Sequence, residues 1–392
     1  MDLKAVQAAL ERAGLEAWLF YDHHRRDPIA YRVLQIDPLM CTRRWYYMIP
    51  AAGEPEKLVH RIERSALSPL PGKERVYASW IEQAAGLAAI LKGRKRVAMQ
   101  YSPLNAIPYV GLVDAGTVEL VRRCGAEVIS SANLVQQFEA RWTEEALALH
   151  LEAGKAVHEI LRECFRRIRE ALTEGRNLDE YGLQQEIVRL FDQHGLESDE
   201  PPIVAVNQHS GDPHYSPRPE TSLPIRAGDV VLLDVWAKRR APGAVYFDVT
   251  WAGFAGDAAP KRHAEIFQVV RQARDTAIEL VQTVLAQGRP LHGYEVDDAA
   301  RRVITQNGYG DLFVHRTGHS IGREVHGTGA NMDNFETHDD RLLIPGTCFS
   351  VEPGIYLPEF GIRSEVDVYV EERGAHVTGE AQQAIVPILA AV

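Results

Sequence analysis

Five side chains in the C-terminal half have the types and spacing for metal chemistry: Asp234, Asp248, His319, Glu352 and Glu365. Asp234 closes the apolar run Val230–Leu233, and Asp248 follows Ala244-Val245-Tyr246-Phe247. Both runs suit half-buried strands. Between them Ala241-Pro242-Gly243 is turn chemistry, and a hairpin centred at 241 would set the two carboxylates directly opposite each other. Glu352 and Glu365 flank Leu357–Gly361 in the same way, with the turn centre between Pro358 and Glu359. Facing carboxylates buried together repel unless protons or cations neutralise them. Two divalent cations about 3.5–4 Å apart would balance four carboxylates, lower the pKa of a shared water and polarise a carbonyl. With 54 acidic residues a single such pair could arise by chance. Two pairs together with a histidine segment are harder to assign to chance.

That segment is Gly318-His319-Ser320-Ile321-Gly322-Arg323-Glu324-Val325-His326, upstream of Val351-Glu352-Pro353-Gly354-Ile355-Tyr356 and Gly361-Ile362-Arg363-Ser364-Glu365-Val366-Asp367. These stretches resemble the signatures of the M24 metallopeptidases, the pita-bread enzymes that include prolidase, aminopeptidase P and methionine aminopeptidase. The resemblance is strong over residues 145 to 385 and extends to the N-terminal part in organisation only. It implies that Asp234 and Glu365 are bridging or bidentate ligands, that Asp248 serves one metal, and that His319 and Glu352 serve the other. It implies Glu352 as general base, His326 as a group on substrate or tetrahedral intermediate, and His214 as the histidine that closes over the substrate. Tyr356 and Arg363 resemble residues that support the carboxylates. The implied reaction is cleavage of the bond between an N-terminal residue and proline, with two divalent ions from among Mn, Co and Zn.

The chain departs from the pattern around the pocket. Lys238-Arg239-Arg240-Ala241-Pro242-Gly243 lengthens the link between the aspartates, Trp251 stands where an arginine is common, and Gly327 replaces an acid after the second histidine. The stretch before His214 is abbreviated. The long 236–246 segment, carrying three cations, is expected near the pocket rim or at a dimer contact; at the rim it would attract a dipeptide carboxylate, and the alternative is a solvated loop with no role. Arg323 and Arg341 are further candidates for gripping that carboxylate. A relative hydrolysing a non-peptide C–N bond, or a non-catalytic pita-bread binding protein, are the alternatives; the second would be expected to have lost ligands.

The net charge of −11 argues against a nucleic-acid partner. No apolar run reaches the roughly 20 residues a membrane span needs. Cys41, Cys124, Cys164 and Cys348 form no CxxC pair, and the N-terminus lacks a signal-peptide core, so a cytoplasmic protein is expected. A small peptide substrate and a homodimer follow from the resemblance.

Positioning these residues requires two domains. Residues 1–140 alternate helix-like and strand-like stretches and are expected as an α/β domain, which methionine aminopeptidases generally lack. Residues 141–392 are expected as the catalytic α+β domain, an antiparallel sheet backed by helices over about 143–173, from Asn177 as N-cap to about 194, 261–286 and 295–307.

Overall fold

Strand β1 (Ala17–Asp22) shows why the N-terminal part layers as it does: all six residues are buried. Ala17, Leu19 and Tyr21 face one way and Trp18 and Phe20 the other, so both faces of the sheet need cover. Helices α1 (Leu3–Arg12) and α2 (Pro28–Leu34) pack on the Trp18 face. Helices α3 (Trp80–Ile90) and α4 (Ala115–Arg123) pack on the Leu19 face. The other strands are β2 (Trp45–Pro50), β3 (Glu56–His60), β4 (Lys73–Tyr77), β5 (Arg96–Met99) and β6 (Glu127–Ser130). Their order is β4-β3-β2-β1-β5-β6, with β2 alone antiparallel to its neighbours. The computed structural model describes residues 1–38 and 40–390, and the chain divides into units Met1–Glu139 and Ala140–Val392. A short helix α5 (Ala132–Val135) closes the first unit.

The second unit begins with α6 (Glu144–Glu174), capped by the Thr143 hydroxyl and ended by Gly175 at φ 68°. Helix α7 (Glu180–His194) starts later than expected. Its cap is Asp179, which accepts the Gly182 N–H at 2.7 Å, while Asn177 lies outside the helix. Short strands β7 (Leu196–Glu197) and β8 (Ile203–Val206) both pair with β9 (Val230–Arg239), which pairs with β10 (Phe247–Phe254). Then come α8 (Lys261–Ala286) and α9 (Gly293–Gln306), close to their expected bounds. A second sheet runs β11 (Ser320–Ile321), β12 (Cys348–Val351), β15 (Val366–Glu371), β16 (Gly374–Val377). A hairpin of β13 (Gly354–Tyr356) and β14 (Gly361–Arg363) continues from it, and β17 (Val386–Pro387) edges the first sheet. This is the expected α+β class.

Alternation along β9 decides which side chains meet. Val231, Leu233, Val235 and Ala237 pack under α6 and α7 with Val249 of β10. Asp234 must therefore point to the opposite face, as must Asp248 and Thr250.

Candidate metal centre and active site

Asp234 pairs across the ladder with Thr250, and Asp248 with Trp236. The hairpin is thus centred one residue beyond 241, a two-residue change in the partner of Asp234. Because the side-chain period is two, this keeps both aspartates on one face, as diagonal rather than direct neighbours. The strand also starts at Phe247, leaving 244–246 as loop. The second pair behaves as its spacing suggests. Ile355 pairs with Ile362 and Val351 with Val366, so Glu352 and Glu365 face each other where the two ladders join.

His319 is brought in by the third segment. Its N–H donates to Ser350 Oγ at 2.9 Å, and its carbonyl accepts the Ser350 N–H at 2.8 Å. A Cβ on Gly318 would lie 1.8 Å from the Ser350 carbonyl oxygen, so only glycine permits this approach. Asp248, His319 and Glu365 each place a ligand atom within 4.8 Å of the others, and all three are buried.

The imidazole tautomer is informative. His319 Nδ1 lies 3.2 Å from the Ser320 carbonyl, which can only accept, so Nδ1 carries the proton. Nε2 then turns a lone pair toward Glu352 Oε1 at 3.3 Å and Asp248 Oδ2 at 3.6 Å. Burial holds the His319 pKa well below the ordinary value, His326 adding to this, so the imidazole itself takes up no proton to relieve the clash of acceptors. Asp248 Oδ1 and Glu365 Oε1 are buried without a hydrogen-bond partner. Burial and mutual repulsion raise Asp248 and Glu365 well above the usual carboxylate range, and burial raises Glu352 to about 7. Converging lone pairs and orphaned carboxylate oxygens fit a bound cation. Hard oxygens with one imidazole suit Mn²⁺, Co²⁺ or Zn²⁺.

Arg363 ties the site to its supports. It donates to Asp234 Oδ2 through Nη2, to Thr250 Oγ1 through Nε at 2.9 Å and to the Tyr356 hydroxyl through Nη1 at 3.1 Å. Three residues were given no role from sequence. Thr250 Oγ1 lies 3.0 Å from Asp234 Oδ1 and 2.7 Å from Glu365 Oε2. Its signal was its place two residues after Asp248 on a strand. His315 Nδ1 donates to the Arg316 carbonyl at 2.7 Å, so Nε2 accepts the Tyr356 O–H at 2.6 Å, and burial lowers its pKa to about 3. Asp367 Oδ2 accepts the main-chain N–H of Asp248 at 2.8 Å.

His326 and His319 meet edge to face, centroids 4.4 Å apart, with part of the His326 surface in solvent. Local desolvation, then Arg316 and His214, hold its pKa below the ordinary value. His214 is exposed, follows a 3-10 turn at Asn207–Gly211, and donates its main-chain N–H to Asp212 Oδ1 at 3.1 Å.

Two expectations fail. Arg341 is buried and bound to Asp339 and the Thr328 carbonyl, so it has no reach to a substrate. Two of the 236–246 cations are drawn toward the helices: Arg240 pairs with Asp192, and Arg239 with Glu152 at 3.6 Å and the His194 carbonyl at 2.6 Å. Lys238 donates to the Arg323 carbonyl at 2.9 Å and sits over the Tyr246 ring. Nearby carboxylates and a helix end hold the two arginines away from a rim position, while Lys238 stays beside the segment that carries His326.

The model of metallopeptidase family M24 matches residues 148–372. The chain is 28% identical over 337 residues to a probable dipeptidase PepE of Mycobacterium bovis, covering 84% of this chain and 81% of the relative. It is 30% identical over 224 residues to an Xaa-Pro dipeptidase of Lactobacillus delbrueckii, covering 57% and 55%. The fold is similar to that of the crystal structure of dipeptidase PepE from Mycobacterium ulcerans, with TM-score 0.71 at 24% identity over 98% of this chain and 96% of that one. Among the described residues no helix is long and apolar enough to cross a membrane. The geometry around His319 and these matches agree: the chain belongs to metallopeptidase family M24 and is a peptide hydrolase.

Proposed function

We propose that the protein is a dinuclear metallo-exopeptidase that cleaves the bond between an N-terminal residue and proline, of the Xaa-Pro dipeptidase or aminopeptidase P kind. The observation that carries the metal reading is the His319 lone pair facing Glu352 and Asp248. Proline specificity is supported by the relatives named Xaa-Pro dipeptidase. Asp234, Asp248, His319, Glu352 and Glu365 would hold two divalent ions. Such ions, when bound, acidify water and polarise a carbonyl.

The chain's own groups do the rest. Glu352, with its affinity for protons raised, takes the proton of the attacking water and delivers it to the leaving nitrogen. His326, neutral at pH 7 and beside His319, donates a hydrogen bond to the developing oxyanion. His214, exposed near the pocket mouth, covers the substrate. Arg363 and Tyr356 fix the orientation of Asp234. The four cysteines are free thiols. We place the enzyme in the cytoplasm, acting as a homodimer on small peptides.

Hydrolysis of Ala-Pro, Ala-Ala and Ala-Pro-Ala by protein reconstituted with Mn²⁺, Co²⁺ or Zn²⁺ tests this reading. It expects the proline peptides to be cleaved at least about tenfold faster than Ala-Ala, a difference of about 1.4 kcal/mol in barrier. Equal rates would remove the proline assignment and leave a general dipeptidase.

A further inference from the structure

The first unit holds a cavity that the peptidase reading does not use. The carboxyl ends of β1, β3 and β4 and the first turns of α3 and α4 surround a volume of about 670 Å³, a size that takes a small molecule. In open sheets with parallel strands, ligands collect outside the carboxyl ends of the strands. Here antiparallel β2, between β1 and β3, brings its amino end, with Arg43 and Arg44 just before it, to that same edge.

The charges lining the cavity are unequally occupied. Arg26, Arg43 and Arg44 all line it, and among the described residues none of the three is in an ion pair. The acids beside them are engaged. Asp114 caps α4, accepting the Thr117 N–H at 2.9 Å and its hydroxyl at 2.8 Å. Asp22, on the adjoining smaller cavity, accepts the N–H groups of Arg25, Arg26 and Asp27 and the Tyr31 hydroxyl. That knot holds His24 at φ 64° and Arg25 at φ 58°, left-handed conformations that non-glycine residues adopt only where surroundings enforce them. The enforced turn carries Arg26 to the cavity wall. First-turn residues of both helices line the cavity, and the Trp80 indole stands 74% exposed beside it.

We propose that this cavity binds a small phosphoryl-bearing anion held by Arg26, Arg43 and Arg44, with Trp80 against the rest of the molecule. Planar guanidinium forks match phosphate oxygens in pairs, and three of them exceed what a single carboxylate can occupy.

The test is calorimetric titration of the full chain with inorganic pyrophosphate in metal-free buffer, alongside Trp80 fluorescence. One saturable site is expected, and phenyl phosphate, which carries a group for Trp80 to meet, should change a fluorescence signal that Trp80→Phe abolishes. Arg26→Gln and Arg44→Gln should each weaken binding about 10–100-fold, the scale of one lost charge-assisted hydrogen bond. Asp248→Asn should bind pyrophosphate as the parent does, separating this site from the metal centre. Arg26 is exposed, so its variant tests the site even if Arg44→Gln fails to fold. Absence of saturation, binding unchanged in the arginine variants, or binding lost in Asp248→Asn would overturn the proposal. Tighter binding of citrate than of pyrophosphate would overturn the phosphoryl assignment.

Discussion

Thr250 touches Asp234, Glu365 and Arg363 through one hydroxyl, and its effect should be measurable at that scale. Thr250→Val keeps the volume and strand propensity but removes the donor and acceptor. Metal affinity should fall about 10–100-fold, the usual cost of losing a group that orients ligands. The melting temperature of the metal-free protein should change far less. Unchanged affinity in a calorimetric metal titration would show that the hydroxyl orients nothing. The acidic and imidazole candidates were legible in the sequence because their types announce metal chemistry. Thr250 and His315 were not, since a hydroxyl or a lone histidine acquires meaning only from the atoms that surround it. Arg341 was misread for the same reason: a cation near the motif looks available until Asp339 is seen holding it.

At the scale of elements, the helices were readable where a cap and a period coincide, as at Thr143 and Gly175 for α6. For α7 the cap is Asp179 rather than Asn177, and tertiary contacts fix that start: the Glu180 N–H donates to the Leu223 carbonyl and the Tyr181 N–H to the Ser222 hydroxyl. The turn between Glu352 and Glu365 was readable because its centre is short and proline-bearing. The longer link between the aspartates left room for a register change, and Phe247, packed against Gly154 of α6, fixes where β10 begins. In that link Arg239 and Arg240 are bound at α6 and α7, while Lys238 reaches the Arg323 carbonyl. Replacing Lys238, Arg239 and Arg240 together with serine should leave KM for Xaa-Pro dipeptides within about twofold. It should cost little stability, since exposed pairs contribute roughly 0–1 kcal/mol each. A severalfold rise in KM at constant kcat would restore the cationic-rim reading.

Across the whole molecule, the buried carboxylates make stability depend on pH and metal together. Glu352 rises from an ordinary 4.5 to about 7 through burial, and Asp248 and Glu365 are also raised. A raised carboxylate stabilises the fold fully below its unfolded pKa and loses that contribution as pH climbs through the folded value. In metal-free protein, the melting temperature relative to that of Glu352→Gln should therefore fall between about pH 4.5 and 7. A relative rise over this window, measured by calorimetry, would contradict the carboxylate crowding. The most direct test of the account is to titrate metal-free protein with Mn²⁺ while following Ala-Pro hydrolysis. Activity should be absent at the start, appear with added metal and saturate near the second equivalent, and Asp248→Asn should neither retain metal nor turn over. Full activity in protein shown by elemental analysis to contain no metal would contradict it.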